Sequence, residues 1–248
     1  WEQDGHVSRE VWLKAGEMGL LGINCPEEYG GLGADVLFAA VSWEEQMYAK
    51  GSPSGPGFSL HSDIVMPYLV HLGTEEQKQR WLTPFASGEK LGCFGLSEPG
   101  NGSDSAAAST TATLDGDEWV LNGEKWFSSS ASVADIAVVM AKTDPDAPRH
   151  EQYSTFIVEL PNPGYHIVRN IETMQPHTDL GLKLGGSHSE IKIENLRVPR
   201  ENILGGQGQG FNMGQHRLAY GRLRHGMHNV AMAQRALDLA AKHVTNRS

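Results

Sequence analysis

Along the first third of the chain, apolar residues recur at helical spacing. Val7, Val11, Trp12 and Ala15 form one such stripe, which closes near Gly19 to Gly22 and predicts a helix. Pro26 to Gly33 (P-E-E-Y-G-G-L-G) is a glycine-rich turn. Asp35 to Lys50 then resumes the helical pattern, with Val36, Ala39, Ala40 and Trp43 on one side. A Ser/Pro/Gly loop from Gly51 to Gly57 precedes Leu60 to Leu72, a helical stretch that Pro67 either kinks or starts. Thr74-Glu75-Glu76-Gln77 has the spacing of a capping box, Thr at N-cap and Gln at N3. The helix it opens carries Trp81 and Leu82 and ends near Pro84 or Gly88.

At Glu89 the period changes to two. Ser109 to Leu114, Asp115-Gly116 and Glu118 to Leu121 read as strand, turn, strand, and Asn122-Gly123 predicts a second tight turn. Ile136 to Lys142, Ser154 to Leu160, Tyr165 to Arg169 and Glu190 to Ile193 are further strands, with Asp144 to His150 a surface loop. Short strands joined by short turns imply a compact β-barrel or sandwich. After Val198-Pro199 and the glycines from Gly205 to Gly210, Phe211 to roughly Thr245 is one long helix. Helices, then strands, then a helix is an α+β order in separate domains rather than alternating β/α. The expected boundaries are an N-terminal helical domain over 1–88, a middle β-barrel or sandwich over 89–204, and a linker with a helix over 205–248.

Composition narrows the partners. The chain has 248 residues, 39% hydrophobic and 20% charged, with a formal net charge of −10. An acidic balance argues against nucleic acid or an anionic membrane as the main partner. No apolar run reaches membrane-spanning length, and no signal peptide is visible. Cys25 and Cys93 are the two cysteines and form no C-x-x-C. A bridge between them stays open, with a reduced setting the simpler reading. The chain starts at Trp1 and its last helix has no Gly or Pro terminator, so it reads as a piece of a longer polypeptide.

The segment richest in chemistry is Cys93 to Asp104, C-F-G-L-S-E-P-G-N-G-S-D. A short strand breaks into a loop of glycines, serines and an asparagine, which can present backbone N–H groups and hydroxyls without bulk. That suits a flat polar ring and an attached diphosphate; an ordinary strand-end loop is the bland alternative. Ser97-Glu98-Pro99-Gly100-Asn101-Gly102-Ser103-Asp104 resembles the flavin-binding signature of the acyl-CoA dehydrogenase family, (Ser/Thr)-Glu-Pro-x-x-Gly-Ser-Asp. Asn122-Gly123-Glu124-Lys125-Trp126-Phe127-Ser128-Ser129-Ser130 is similar to a second family segment, N-G-x-K-x-W-I-(Thr/Ser)-N. Gly19 to Gly33 and His71 to Leu82, the latter closing in Ala86 to Glu89, are similar to further family segments. The resemblance covers nearly the whole chain and implies an N-terminal helical domain, a middle β-barrel and the start of a C-terminal helical bundle.

By this resemblance the cofactor is FAD. Phe94, Leu96 and Ser97 lie along the isoalloxazine, and Ser103 lies near the diphosphate and the acyl-CoA. Trp126 packs on the flavin face, as an indole can, against the alternative of a core tryptophan. Ser128, two residues on, is expected on the same strand face, where its hydroxyl can donate to the flavin N5 that accepts hydride. Arg222 aligns with an arginine that contacts the acyl-CoA, a task suited to a planar guanidinium.

Gly221 stands where some relatives carry a glutamate base. The resemblance therefore places the catalytic base, whose identity is unknown, beyond Ser248. Glu44-Glu45 and Glu75-Glu76 read as solvated faces and a cap. His225 and His228, at i, i+3, have no third ligand, so no metal is assigned. His177 and His188 read as ordinary hydrogen-bonding residues. Gly206 to Gly210 is not G-x-G-x-x-G and reads as a flexible entry to the last helix.

The implied reaction is α,β-dehydrogenation of an acyl-CoA thioester to the trans-2-enoyl-CoA, with electrons passed to an electron-transfer flavoprotein. The implied assembly is a homotetramer or homodimer. The implied setting is the bacterial cytoplasm or, in a eukaryote, the mitochondrial matrix. An acyl-CoA oxidase or flavin monooxygenase of the same fold, or a non-catalytic FAD-binding fragment, are the alternatives.

Overall fold

The computed structural model describes residues 7–48, 57–171 and 188–247. His177, most of the 51–57 loop and the last two residues of the 35–50 helix lie outside them. Helix α1 (Arg9–Glu17) buries Trp12 and Ala15, and α2 (Val36–Tyr48) buries Ala39, Trp43 and Met47, one residue per turn. A π-helical turn, Leu60–Val65, runs directly into α3 (Met66–Leu72). Pro67 stands in the first turn of α3, and a proline there cannot supply an i→i−4 amide to the preceding turn. Helix α4 (Glu75–Ala86) opens with the expected box. Gln77 N donates to Thr74 Oγ1 at 3.3 Å, and Thr74 N donates to Gln77 Oε1 at 3.0 Å. The same Gln77 amide donates to Glu201 O at 2.7 Å and Ile203 O at 3.0 Å, so the cap also fastens the helices to the strands.

Among the described residues eight strands follow: β1 (Gly92–Gly95), β2 (Thr111–Asp115), β3 (Glu118–Ser129), β4 (Ile136–Lys142), β5 (Tyr153–Glu159), β6 (Tyr165–Ile171), β7 (His188–Pro199) and β8 (Ile203–Leu204). Their order is β6-β7-β3-β2-β4-β5-β8, with β1 parallel to β4. The path joins at a single parallel pair, Thr111 with Lys142, and folds over a shared core. Ala137, Val139 and Ala141 of β4 meet Trp119, Leu121, Ile191, Ile193, Leu196 and Val198 there. The opposite face of β4 and β5, Ile136, Val138 and Ile157, packs on Val65, Leu69, Trp81, Leu82 and Phe85 of the helices. Burial on both faces explains why β4 reads as a continuous apolar run. Helix α5 (Gly210–Thr245) closes the chain, burying Met213, Gly214, His228 and Ala231.

One expected turn is absent. Asn122-Gly123 lies inside the continuous strand β3. Leu121 pairs with Leu196 and Gly123 with Ile193, so β7 carries one extra residue, with Asn195 at φ 49°. Asn122 Oδ1 accepts Asn195 N at 2.8 Å. Gly123 has φ 150°, and Thr110 Oγ1 lies 2.5 Å from where its Cβ would stand. The glycine is needed for close backbone approach at a bulge, not for reversal. Cys25 and Cys93 are free thiols in separate cores. Burial raises their pKa values to about 11 and about 12. Among the described residues no helix is long and apolar enough to cross a membrane.

Candidate functional site

Strand β1 runs beside β4 and then leaves the sheet at Leu96. There it meets β3: Trp126 N donates to Ser97 O at 2.7 Å. The two sequence motifs thus share one wall. Phe94 stacks on Tyr68, ring centroids 5.3 Å apart and 19° between planes, while the Arg217 guanidinium lies 4.8 Å from its centroid. Leu96 is half-buried against Met140, Tyr153, Ala106 and Ala108, with Phe211 of α5 alongside. Ser103 is exposed in the loop. Next to it Asp104 Oδ1 accepts Ala106 N at 3.2 Å, and its carboxylate pairs with Arg149. Arg222 is exposed on α5. Among the described residues, neither Ser103 nor Arg222 has a hydrogen bond, ion pair or ring contact to the Phe94–Trp126 group.

Trp126 is half-buried; the Arg169 guanidinium lies 5.4 Å from its ring and Phe127 meets it edge-on at 5.5 Å. Lys125 pairs with Ile191 and Ser128 with Ser189, so β3 carries an extra residue here, with Phe127 at φ 55°. Simple alternation would put Ser128 on the face of Trp126. The bulge overturns that expectation: Ile191 and Ser189 are two apart on β7, so their partners Lys125 and Ser128 share a face. Phe127 is turned outward at 47% exposure, and Ser128 is fully buried. Beside them His188 Nδ1 lies 2.5 Å from Ser129 Oγ, and burial lowers the His188 pKa.

A buried ion pair underlies this wall, and motif reasoning missed it. Lys125 Nζ donates to Glu98 Oε1 at 2.8 Å, with both side chains buried. Glu98 also accepts Thr110 N at 3.1 Å, Ser109 N at 2.6 Å and Ser109 Oγ at 2.7 Å. Burial alone would raise the Glu98 pKa. The Lys125 ammonium and these donors outweigh it and hold the carboxyl at about 2. Burial lowers the Lys125 pKa, and Glu98 opposes that shift. The sequence signal was a charged residue beside each motif core, Glu98 after Ser97 and Lys125 before Trp126.

Buried polar atoms without a partner are normally rare. Among those in the described residues are Ser128 Oγ, Asn101 Nδ2 in the glycine loop and Arg217 Nε, whose guanidinium lies over Phe94. Gly100 and Gly102 have open space where a Cβ would stand. A half-exposed indole and an uncrowded loop fit a flat ring and an attached diphosphate, while the orphaned Ser128 hydroxyl sits on the Lys125 face of the strand. A cleft of about 400 Å³ lined by Glu98, Pro99, Gly100, Ser109, Asn122 to Glu124 and Lys192 to Glu194 borders the same two motifs. It includes none of the predicted site residues.

Comparison with known proteins agrees with both halves of the chain. Residues 1–89 match the description "Acyl-CoA dehydrogenase, N-terminal domain" and residues 93–195 match "Acyl-CoA dehydrogenase, middle domain". The long-chain specific acyl-CoA dehydrogenase of Mus musculus mitochondria is 42% identical over 213 residues, 85% of this chain and 47% of that one. The short-chain specific enzyme of Homo sapiens mitochondria is 41% identical over 235 residues, 94% of this chain and 55% of that one. The crystal structure of an acyl-CoA dehydrogenase from Geobacillus kaustophilus superimposes with a TM-score of 0.89 at 37% identity, covering 100% of this chain and 63% of that one. The chain spans about half the length of the curated relatives it matches, and with both domain descriptions matched in order it belongs to the acyl-CoA dehydrogenase family.

Proposed function

We propose that the protein takes part in FAD-dependent α,β-dehydrogenation of an acyl-CoA thioester, giving the trans-2-enoyl-CoA. The observation that carries this is the junction of the two motifs at Trp126 N–Ser97 O, 2.7 Å. When bound, FAD would supply the hydride acceptor for the substrate Cβ. Trp126 would give the ring an apolar face and keep water from it. Ser128 would donate a hydrogen bond to the polar edge, a donor aimed where negative charge develops.

Phe94, Leu96 and Ser97 would line the ring, and Ser103 would meet the diphosphate and the acyl-CoA. Arg222 would bind the CoA portion through its guanidinium. Gly221 has no side chain to accept the α proton, so the proposal assigns that step to a carboxylate of helical sequence following Ser248. Electron transfer to a flavoprotein acceptor, and assembly as a homodimer or homotetramer, belong to the same proposal.

The test is a visible spectrum of the intact protein with added FAD, then with a panel of acyl-CoA thioesters in the absence of oxygen. Bleaching by an acyl-CoA supports the proposal. A folded protein that takes up no FAD refutes it, and fast reoxidation by oxygen after bleaching replaces the dehydrogenase assignment with an oxidase.

A further inference from the structure

We propose that Glu98 and Lys125 are positioning residues for the cofactor wall. Their buried ion pair holds the Ser97 loop and the Trp126 strand in one fixed relation; the inference rests on the flavin reading of that wall. Three successive residues are held from β3. Leu96 O accepts Lys125 Nζ at 3.4 Å, Ser97 O accepts Trp126 N at 2.7 Å, and Glu98 Oε1 accepts Lys125 Nζ at 2.8 Å. The Lys125 side chain crosses β1 at Gly95, where a Cβ would meet its Cγ at 3.2 Å.

The other carboxylate oxygen gathers Ser109 N and Oγ, and Thr110 in turn donates from Oγ1 to Glu124 O at 3.1 Å. Glu98 also begins the glycine loop: its N–H donates to Asn101 O at 3.2 Å, and Asn101 N donates back to Glu98 O at 3.1 Å. One carboxylate therefore fixes the loop start, the segment before β2 and the strand bearing Trp126.

Stability alone gives little reason for such a pair. Two charges taken out of water are costly, and apolar residues of similar volume often pack as well. Charge-assisted bonds add direction, which apolar contacts lack. Glu98 and Lys125 reach none of the candidate cofactor side chains themselves; they act through the backbone of Ser97 and Trp126. That matters because a displacement of about 1 Å in a positioning group can cost ~100-fold in rate.

The test compares the parent with E98Q, K125M and the double variant E98Q/K125M, all in the intact protein. Three readouts are taken: the urea unfolding midpoint, the FAD Kd from flavin fluorescence, and hydrogen exchange of the Trp126 amide without FAD. Each single variant strands a buried charge and should lower the midpoint. The double variant removes both charges and should recover the midpoint. Its FAD Kd should stay at least ~10-fold above the parent's, and its Trp126 amide should exchange at least ~10-fold faster, while β4 is unchanged. A double variant with recovered midpoint, parental Kd and parental exchange overturns the proposal. Where these variants do not fold, E98D is read the same way, since it keeps the charge but shortens its reach: raised Kd supports the proposal and parental Kd overturns it. A parent that binds no FAD refutes the flavin reading instead, and the exchange measurement still decides whether the pair holds the two segments together.

Discussion

His61 joins the helices to the first strand, and its protonation should set acid stability. The ring is fully enclosed. Its Nε2–H donates to Phe85 O at 3.0 Å and its Nδ1 accepts Gly92 N at 3.1 Å. This pairing demands the neutral imidazole, since a proton on Nδ1 would oppose the Gly92 N–H. Burial is the main cause that lowers its pKa from 6.5 to about 4; the Phe85 carbonyl opposes it, Arg9 adds to it, and Asp135 opposes it.

The unfolded chain therefore binds a proton between those values that the folded chain does not. The stabilisation is fully present above the unfolded value and is lost as pH falls through the window. The gap corresponds to about 3 kcal/mol at its full extent, of which about 2 kcal/mol is gone by about pH 5. His61→Gln removes this linkage while other groups titrate alike in both proteins. In urea unfolding, the stability difference between parent and variant should shrink by about 2 kcal/mol between about pH 7.5 and about pH 5. A difference that stays constant over that range would refute a neutral, doubly bonded imidazole at this junction.

Ser128→Ala should separate stability from function: without FAD it should be neutral or stabilising by about 1 kcal/mol, because an unpaired buried hydroxyl is removed. If Ser128 donates to the bound ring, kcat should fall by roughly 100-fold in the same variant; unchanged turnover removes Ser128 from the site. Trp126→Ala should weaken FAD retention on gel filtration, and parental retention would remove the indole from the flavin-facing set. Thr74→Ala should cost about 1 kcal/mol through the lost cap of α4, read as a lower thermal midpoint; no change would show the capping box to be energetically idle.

Local signals were legible wherever the interactions were local. Thr74 and Gln77 announce a helix start because the bonds they make span three residues. The stripes of α1 and α2 follow from period, and the strand over 136–142 from a continuous apolar run of strand length. The meeting of Ser97 and Trp126 was anticipated because each came with its motif neighbours, and the Trp126 N–Ser97 O bond joins the two segments; their part in a cofactor site, with Ser128, belongs to the proposal.

Register was not legible, because it depends on pairing between distant segments. Asn122-Gly123 has the composition of a hairpin turn, yet β7 continues opposite it and Asn195 takes the extra position. Phe127 adopts φ 55° because β3 must fit one residue too many between Ile191 and Ser189. That shift, invisible in alternation, moves Ser128 to the Lys125 face. Glu98 and Lys125 are 27 positions apart, and a charge beside each motif core does not by itself pair them. Their union needs the sheet to bring β1 against β3, where exclusion of water turns two ordinary surface residue types into a buried pair. Chain pattern sets which elements form, because helix and strand bonds are short-range. Packing sets which side chains face one another, because a one-residue slip in pairing reverses a strand's faces.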